Sequence, residues 1–306
     1  MEAIRVRRLN HANLHVECDF GQAAEIKEFF SFFVPGYQWM PAFKRRIWDG
    51  KIRLFDTNTG ELPAGLIHHL VKYIESRGYN YELVKTKYGT PLEEQRPDPK
   101  EVVQFIKTLN LPFDPRDYQF IAIMEALHRT RGILLSPTGS GKSLIIYVLA
   151  QYWLQMLTDG LRYPEAGKVL VIVPTTSLVE QMHNDFVQYG CSEKAIHRIY
   201  SGKDKTFSQA ICISTWQSIY KLPKDWYQQF GMVVGDECHG FKSKSLMNIM
   251  NKATEAKYRY GTTGTLDGTQ THELVLQGLF GKTFKVTTTK KLQDSGTLAQ
   301  LNINRL

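Results

Sequence analysis

Cysteine is scarce in this chain: four in 306 residues, Cys18, Cys191, Cys212 and Cys238, with no C-x-x-C spacing. That distribution argues against a disulfide framework and a cysteine zinc site, and it suits a reducing compartment. Long hydrophobic runs are also missing; the stretch at 169–173 falls well below the ~18 residues of a membrane span. The opening Met1-Glu2-Ala3-Ile4-Arg5 lacks the apolar centre of a signal peptide, so a cytoplasmic chain with no membrane partner is expected. Acidic residues are the minority charge, 30 Asp and Glu against 38 Lys and Arg, for a formal net charge of +8. A basic balance favours an anionic partner, nucleic acid first among them. With 42% hydrophobic residues, 23 Gly and 12 Pro, the composition excludes collagen-like, coiled-coil and mostly disordered chains. The length favours two domains over one.

Polar, turn-rich sequence at 85–99 reads as a linker, followed by a short helix near 101–109. Beyond it, short apolar runs alternate with helical stretches. Strands are expected at 132–136, 168–173, 196–200, 210–214, 232–235 and 258–262. Helices are expected at 143–157, 176–189, 244–256 and 271–279. This pattern predicts an α/β fold with a mostly parallel sheet covered on both faces, with ligands gathered beyond the carboxyl ends of the strands.

The first of those strands runs into Ser136-Pro137-Thr138-Gly139-Ser140-Gly141-Lys142-Ser143. A phosphate-wrapping loop needs glycines so that backbone N–H groups can approach the anion. It also needs a lysine for the β- and γ-phosphates and a hydroxyl for Mg²⁺. Residues 139, 141, 142 and 143 meet those needs, although Ser136 stands where the general pattern has glycine. Another strand ends in Asp236-Glu237-Cys238-His239. A carboxylate there can hold Mg²⁺ and the next can orient and deprotonate the attacking water, which assigns Asp236 and Glu237 respectively. ATP and Mg²⁺ are the expected cofactors.

Taken together, these runs resemble motifs I and II of superfamily-two helicases. The resemblance extends over roughly 113–281 and implies a RecA-like fold. It makes Arg116-Asp117-Tyr118-Gln119 an adenine-reading segment, in which Gln119 would bond the base edge. It implies nucleic-acid contacts from Thr175 and Gln181 in Pro174–Gln181 and from Thr215 in Ser214-Thr215-Trp216-Gln217. It also gives His239 a link to Gly261-Thr262-Thr263-Gly264-Thr265, where Thr263 and Thr265 would couple the two sites and Gly264 replaces the family's alanine. Each of these has a plainer reading, as a helix cap or a solvated helix residue.

The N-terminal part carries a basic, aromatic stretch at 37–55. Asp49-Gly50 between two alternating runs predicts a hairpin with a type I′ turn. That register places Lys44, Arg46, Trp48, Lys51, Arg53 and Phe55 on one face, suited to phosphates and stacked bases. The alternative is a solvated face with Trp48 packed under a helix at 66–77. This small domain, with Phe29-Phe30-Ser31-Phe32 and the run 48–54, followed by a motor domain ending in the run 278–284, resembles the UvsW-type DNA helicases of T-even bacteriophages. The resemblance implies an ATP-dependent enzyme remodelling branched DNA (forks, junctions, R-loops, with RNA in hybrids) in recombination, replication and repair, acting as a monomer in the host cytoplasm.

The expected division is a small α+β nucleic-acid-binding domain at 1–86, a linker at 87–111, a RecA-like ATPase domain at 112–282 and a connector from 283 to 306. The family's second motor domain with its arginine finger is not found, so the chain is expected to be a truncated, nearly inactive piece. An RNA helicase, a restriction-type translocase subunit and a non-enzymatic DNA-binding module remain as alternatives; a P-loop kinase leaves the later motifs unexplained.

Overall fold

The computed structural model describes residues 3–158, 166–266 and 268–297. The N-terminal unit is built on β1 (Ile4–Arg8) and β2 (Asn13–Glu17), α1 (Phe20–Phe29), β3 (Ser31–Phe33), α2 (Pro41–Lys44), β4 (Lys51–Arg53), β5 (Glu61–Pro63), α3 (Ile67–Ser76) and β6 (Tyr81–Val84). Ile4 and Val6 point inward while Arg5 and Arg7 point out, the period-two pattern that a half-covered strand requires. β1 pairs antiparallel with β2 and parallel with β6, in the order β5-β2-β1-β6. α1 starts at a capping box in which Asp19 and Gln22 each accept the other's backbone N–H. α3 lays Ile67, Leu70, Val71 and Ile74 over the sheet.

The hairpin expected around Asp49-Gly50 does not form. Pro41 opens α2 instead, as proline does at a first helical position, and Arg46 turns the chain with φ 55°. β4 then pairs antiparallel with β3, Phe32 opposite Ile52, because residues 31–33 offer an open strand edge. Gly50 has φ 83°, and a Cβ there would lie 2.3 Å from the Tyr37 ring. The glycine serves close approach of an aromatic ring. Arg46 and Arg53 are consequently not cross-strand partners, and Phe55 is buried in the core at 2% exposure.

α4 (Pro99–Thr108), capped by Asp98, lies in the stretch expected as linker and buries Val102, Phe105 and Ile106 in the core of the larger unit. That unit continues with α5 (Asp117–Arg129), β7 (Arg131–Leu135), α6 (Lys142–Thr158), β8 (Lys168–Val173), α7 (Thr176–Gln188), β9 (Ile196–Ile199) and β10 (Ile211–Thr215). It closes with α8 (Trp216–Ile219), α9 (Lys224–Tyr227), β11 (Phe230–Asp236), α10 (Lys244–Lys252), β12 (Tyr258–Thr263), α11 (Gln270–Phe280), β13 (Thr283–Lys285) and α12 (Thr289–Asp294). Among the described residues these strands form a seven-stranded parallel sheet, β13-β7-β12-β11-β8-β10-β9. Residues 283–285, expected in a connector, are thus its edge strand. Apolar residues on both faces of β8 and β11 explain their continuous hydrophobic runs.

The two units meet along α11. Leu274 packs into the N-terminal core, and a Cβ on Gly65 would fall 1.9 Å from the Gln277 carbonyl oxygen, so only glycine permits this approach. His69 Nε2 lies 2.6 Å from Gln277 Oε1, and Arg131 Nη2 donates to the His11 carbonyl at 2.6 Å.

Candidate nucleotide site and nucleic-acid surface

Register across the sheet brings three strand ends together: Asp236 of β11 pairs with Thr262 of β12, and Thr263 pairs with Leu135 of β7. The chain leaves β7 into residues 136–141, where Gly139 and Gly141 take φ 79° and 76°. A side chain at Gly141 would strike Gln119 Nε2 at 2.3 Å. Ser136, which departs from the glycine of the general pattern, is fully buried, and its Oγ lies 2.5 Å from Ser140 Oγ. Ser140 in turn donates to the Pro137 carbonyl at 2.7 Å, so the hydroxyls brace the loop from inside.

Segment 116–119 packs on this loop. Gln119 Nε2 donates to the Ser140 carbonyl at 2.9 Å, Tyr118 hydroxyl does the same at 3.1 Å, and Gln119 Oε1 accepts from Arg116 N. Arg116 Nη1 donates to Tyr118 hydroxyl at 3.0 Å. Gln119 is buried, with its amide fixed at both ends.

Lys142 Nζ bonds Glu237 Oε1 at 2.9 Å. Glu237 adopts φ 49°, ψ 49°, a left-handed conformation that costs a non-glycine residue energy and turns the chain sharply after β11. Its other oxygen lies 3.4 Å from His239 Nδ1, which is also 3.0 Å from Thr263 Oγ1. Thr263 Oγ1 donates to the Thr265 carbonyl at 2.9 Å. Lys142, Glu237, His239 and Thr263 thereby form one continuous chain of polar contacts. A Cβ at Gly264 would make only ordinary contacts at 3.7 Å and beyond, so the alanine of the general pattern fits there without strain.

Asp236 is 8% exposed, and its Oδ1 accepts from Thr262 Oγ1 at 2.6 Å. Burial raises its pKa, opposed by Thr262 and by the Lys142 charge. Ser143 Oγ sits 3.0 Å from the Tyr189 hydroxyl, a partner on α7's C-cap that sequence reasoning missed because 46 positions separate the two. No trio of His, Cys, Asp or Glu able to cage a metal exists among the described residues. Asp236 and Ser143, the oxygen donors expected for Mg²⁺, are each engaged by a neighbouring hydroxyl, that of Thr262 and that of Tyr189 respectively.

At the neighbouring strand ends of β8 and β10, Thr175 caps α7 by accepting from Leu178 N at 3.4 Å. Thr175 and Gln181 are exposed, whereas Thr215 is buried with its hydroxyl 2.9 Å from Ser218 Oγ. In the N-terminal unit, Lys51 pairs with Glu28 at 3.0 Å and Arg53 with Asp49. Trp48 Nε1 donates to the Lys51 carbonyl at 2.8 Å. Lys44 and Arg46 stay exposed, beside a surface that sequence reasoning missed: Trp39 is 77% and Ile47 76% exposed, with Lys44 Nζ 5.5 Å above the Trp39 ring. An open cleft of 640 Å³ lies between Phe43, Arg46, Ile47 and Trp48. The signal lay within the quoted stretch, but Trp39 falls outside the strands of the expected hairpin.

A parallel RecA-like sheet with a phosphate loop and an Asp-Glu strand end defines a superfamily-two motor domain, and residues 112–268 match the family described as Type III restriction enzyme, res subunit. Residues 3–84 match the family described as DNA helicase UvsW, N-terminal. The chain belongs to the UvsW-type helicase family. It is 34% identical over 310 positions to the ATP-dependent DNA helicase uvsW of Enterobacteria phage T4, an alignment covering 99% of this chain and 60% of that protein. The chain therefore spans about 60% of that relative's length. One crystal structure of the phage T4 UvsW helicase superposes with a TM-score of 0.81 at 33% identity, covering 93% of this chain and 100% of that one. A second superposes at 0.82 and 32% identity, covering 94% and 57%. A DNA 3'-5' translocase XPB2 of Sulfurisphaera tokodaii is 29% identical over 152 residues, 49% of this chain and 30% of that protein. Among the described residues, no helix is long and apolar enough to cross a membrane.

Proposed function

We propose that this chain is the nucleotide-hydrolysing and DNA-binding part of an ATP-dependent DNA helicase or translocase. One observation carries the reading: Lys142 bonds Glu237 at 2.9 Å while Asp236, one residue earlier, reaches the end of the adjoining strand. A bound nucleotide's β- and γ-phosphates compete for Lys142, which frees the Glu237 carboxylate to orient and deprotonate a water. Gly139 and Gly141 let the loop backbone approach the phosphates. Gln119, whose amide is taken up by Arg116 N and the Ser140 carbonyl, would brace the loop beside the base and bond the base edge only by releasing one of those partners. Ser143 and Asp236 would hold Mg²⁺, which when bound neutralises charge on the phosphates. His239 passes the state of Glu237 to Thr263 and Thr265.

On the nucleic-acid side, the proposal assigns Thr175 and Gln181 to phosphate contacts and the exposed surface of Trp39, Lys44, Arg46 and Ile47 to DNA. Support comes from the relative named a DNA helicase and from the chain's positive charge. Branched DNA, including RNA in hybrids, is the proposed substrate, residues 1–86 and 112–282 the proposed domains, and the host cytoplasm the proposed site of action. The match to the restriction-enzyme family favours duplex translocation as a second reading.

The test is nucleotide binding by the 306-residue chain, read by fluorescence, together with ATP hydrolysis on forked DNA, blunt duplex and RNA by the chain joined to a second motor domain. Lys142→Ala is expected to weaken nucleotide binding at least tenfold. Glu237→Gln should keep binding while turnover falls by about 10²–10⁴, the usual worth of a positioned general base. Strong stimulation by forks supports branched-DNA action, and equal stimulation by blunt duplex supports translocation. Unchanged binding in Lys142→Ala rejects the proposal.

A further inference from the structure

Three segments converge at the amino ends of β7 and β12, the opposite end of the strands from the phosphate loop. Arg8 ends β1, Lys85 and Lys87 follow β6, and Lys257 immediately precedes β12. Together they line one cavity of 180 Å³, with Glu93 as its carboxylate. His11 lines it too; that ring is 5% exposed, sits edge-on to Tyr88 at 5.1 Å, and has no hydrogen-bond partner on Nδ1. Next to Thr130 of the wall, the buried Arg131 bonds the His11 carbonyl through Nη2 but leaves Nε and Nη1 without partners. Arg8 donates to the Thr90 and Pro91 carbonyls at 3.0 and 3.1 Å, bonds that engage two of its N–H groups without cancelling its charge.

Arg8 and Lys257 are half-buried beside a single carboxylate while Lys85 and Lys87 stand at the exposed mouth. Like charges this close repel, and a charge withdrawn from water is costly unless it is paired. Burial lowers the pKa of Arg8 and Lys257, with Glu93 the acid opposing it. It pushes His11 down to about 2, helped by the charges of Arg8, Arg131, Lys257 and Arg259.

We propose that this cavity is a phosphate-binding site in which Arg8, Lys85, Lys87 and Lys257 surround one phosphate group, free or borne by nucleic acid. Donors arriving from several directions suit a tetrahedral anion better than a planar carboxylate, which pairs along one edge. The site is separate from the nucleotide loop, since β7 and β12 each run their whole length between them. Because the N-terminal unit, the connecting segment and the sheet each supply a cation, an occupied site holds the three together.

Thermal unfolding tests this in the Lys142→Ala chain, where the phosphate loop is disabled, comparing inorganic phosphate with chloride at matched ionic strength. Phosphate is expected to raise Tm by roughly 5 °C at about 100 times its Kd. Lys87→Ala/Lys257→Ala in the same background should abolish that shift while leaving Tm in chloride equal or higher, because repulsion is relieved. Lys85→Ala/Lys87→Ala, at two exposed loop positions, should reduce the shift without touching the interior. A phosphate effect no larger than that of chloride, or one surviving both double substitutions, overturns the proposal. A short oligonucleotide that removes the phosphate-linked shift identifies a backbone phosphate as the occupant; one that leaves it intact identifies a free phosphate.

Discussion

Asp236 is a carboxylate placed where solvation is poor, and its energetics follow from that placement. Burial holds its folded-state pKa above the ordinary 3.8, so the folded chain binds this proton more tightly than the unfolded one. The resulting stabilisation is complete below the unfolded value and is lost as pH rises through the folded one. At neutral pH the ionised form therefore opposes folding. Asp236→Asn retains the oxygen that accepts from Thr262 and removes the charge. The variant is expected to be more stable than the parent at pH 8, with the difference shrinking as pH approaches 4. Urea denaturation at the two values checks it, and a difference independent of pH would refute the account. Residues of this kind were legible in the sequence because their chemistry is confined to short contiguous runs such as 136–143 and 236–239. Tyr189 against Ser143 was not legible, since two helices must pack before those hydroxyls meet.

At the scale of elements, Arg259 ties two helix ends to the start of a strand. It is 1% exposed and donates to the carbonyls of Leu279, Ala253 and Met250 at 3.1, 2.8 and 2.6 Å. Those oxygens belong to the last turns or caps of α10 and α11, the negative ends of their dipoles, so a buried cation is stabilised there. Burial brings its pKa down to about 10, which leaves it charged at neutral pH. Arg259→Leu strands three buried acceptors at about 1–3 kcal/mol apiece, only partly recovered by relaxation. A loss of about 3–5 kcal/mol in chemical denaturation is expected. Arg259→Lys should lose less, because an ammonium reaches some of the carbonyls but not all. Elements whose apolar pattern is self-contained, such as β8 and α7, could be placed from sequence nearly to the residue. The 44–55 hairpin could not. Its dipeptide signal was local, while the pairing was decided by β3 some twenty positions earlier and by Pro41 starting a helix. β13 was missed for the same reason, being three residues long and defined only by the edge of β7 that it covers.

Across the whole molecule, the seam along α11 fixes the N-terminal surface relative to the sheet, beyond whose β8 lie Thr175 at the cap of α7 and Gln181 within it. Gly65 against Gln277 and Leu274 within the N-terminal core leave little room for one unit to slide over the other. The DNA surface proposed for the N-terminal unit would combine two kinds of interaction, and they are separable by salt. Arg46 is exposed and has no carboxylate partner among the described ion pairs, so it is available to a phosphate; Arg53 is already paired with Asp49. Arg46→Ala should weaken DNA binding and flatten the slope of log K against log salt by about 0.9, the release of one counterion's worth of contact. Arg53→Ala should change that slope much less. Trp39→Ala removes a stacking platform worth about 1–3 kcal/mol per base while leaving the slope unchanged. Fluorescence anisotropy with a forked oligonucleotide between 50 and 200 mM salt, a range in which phosphate contacts respond steeply, distinguishes the three. If Trp39→Ala altered the slope and Arg46→Ala did not, the ring would be acting through Lys44, which lies over its face, and the stacking assignment would fall.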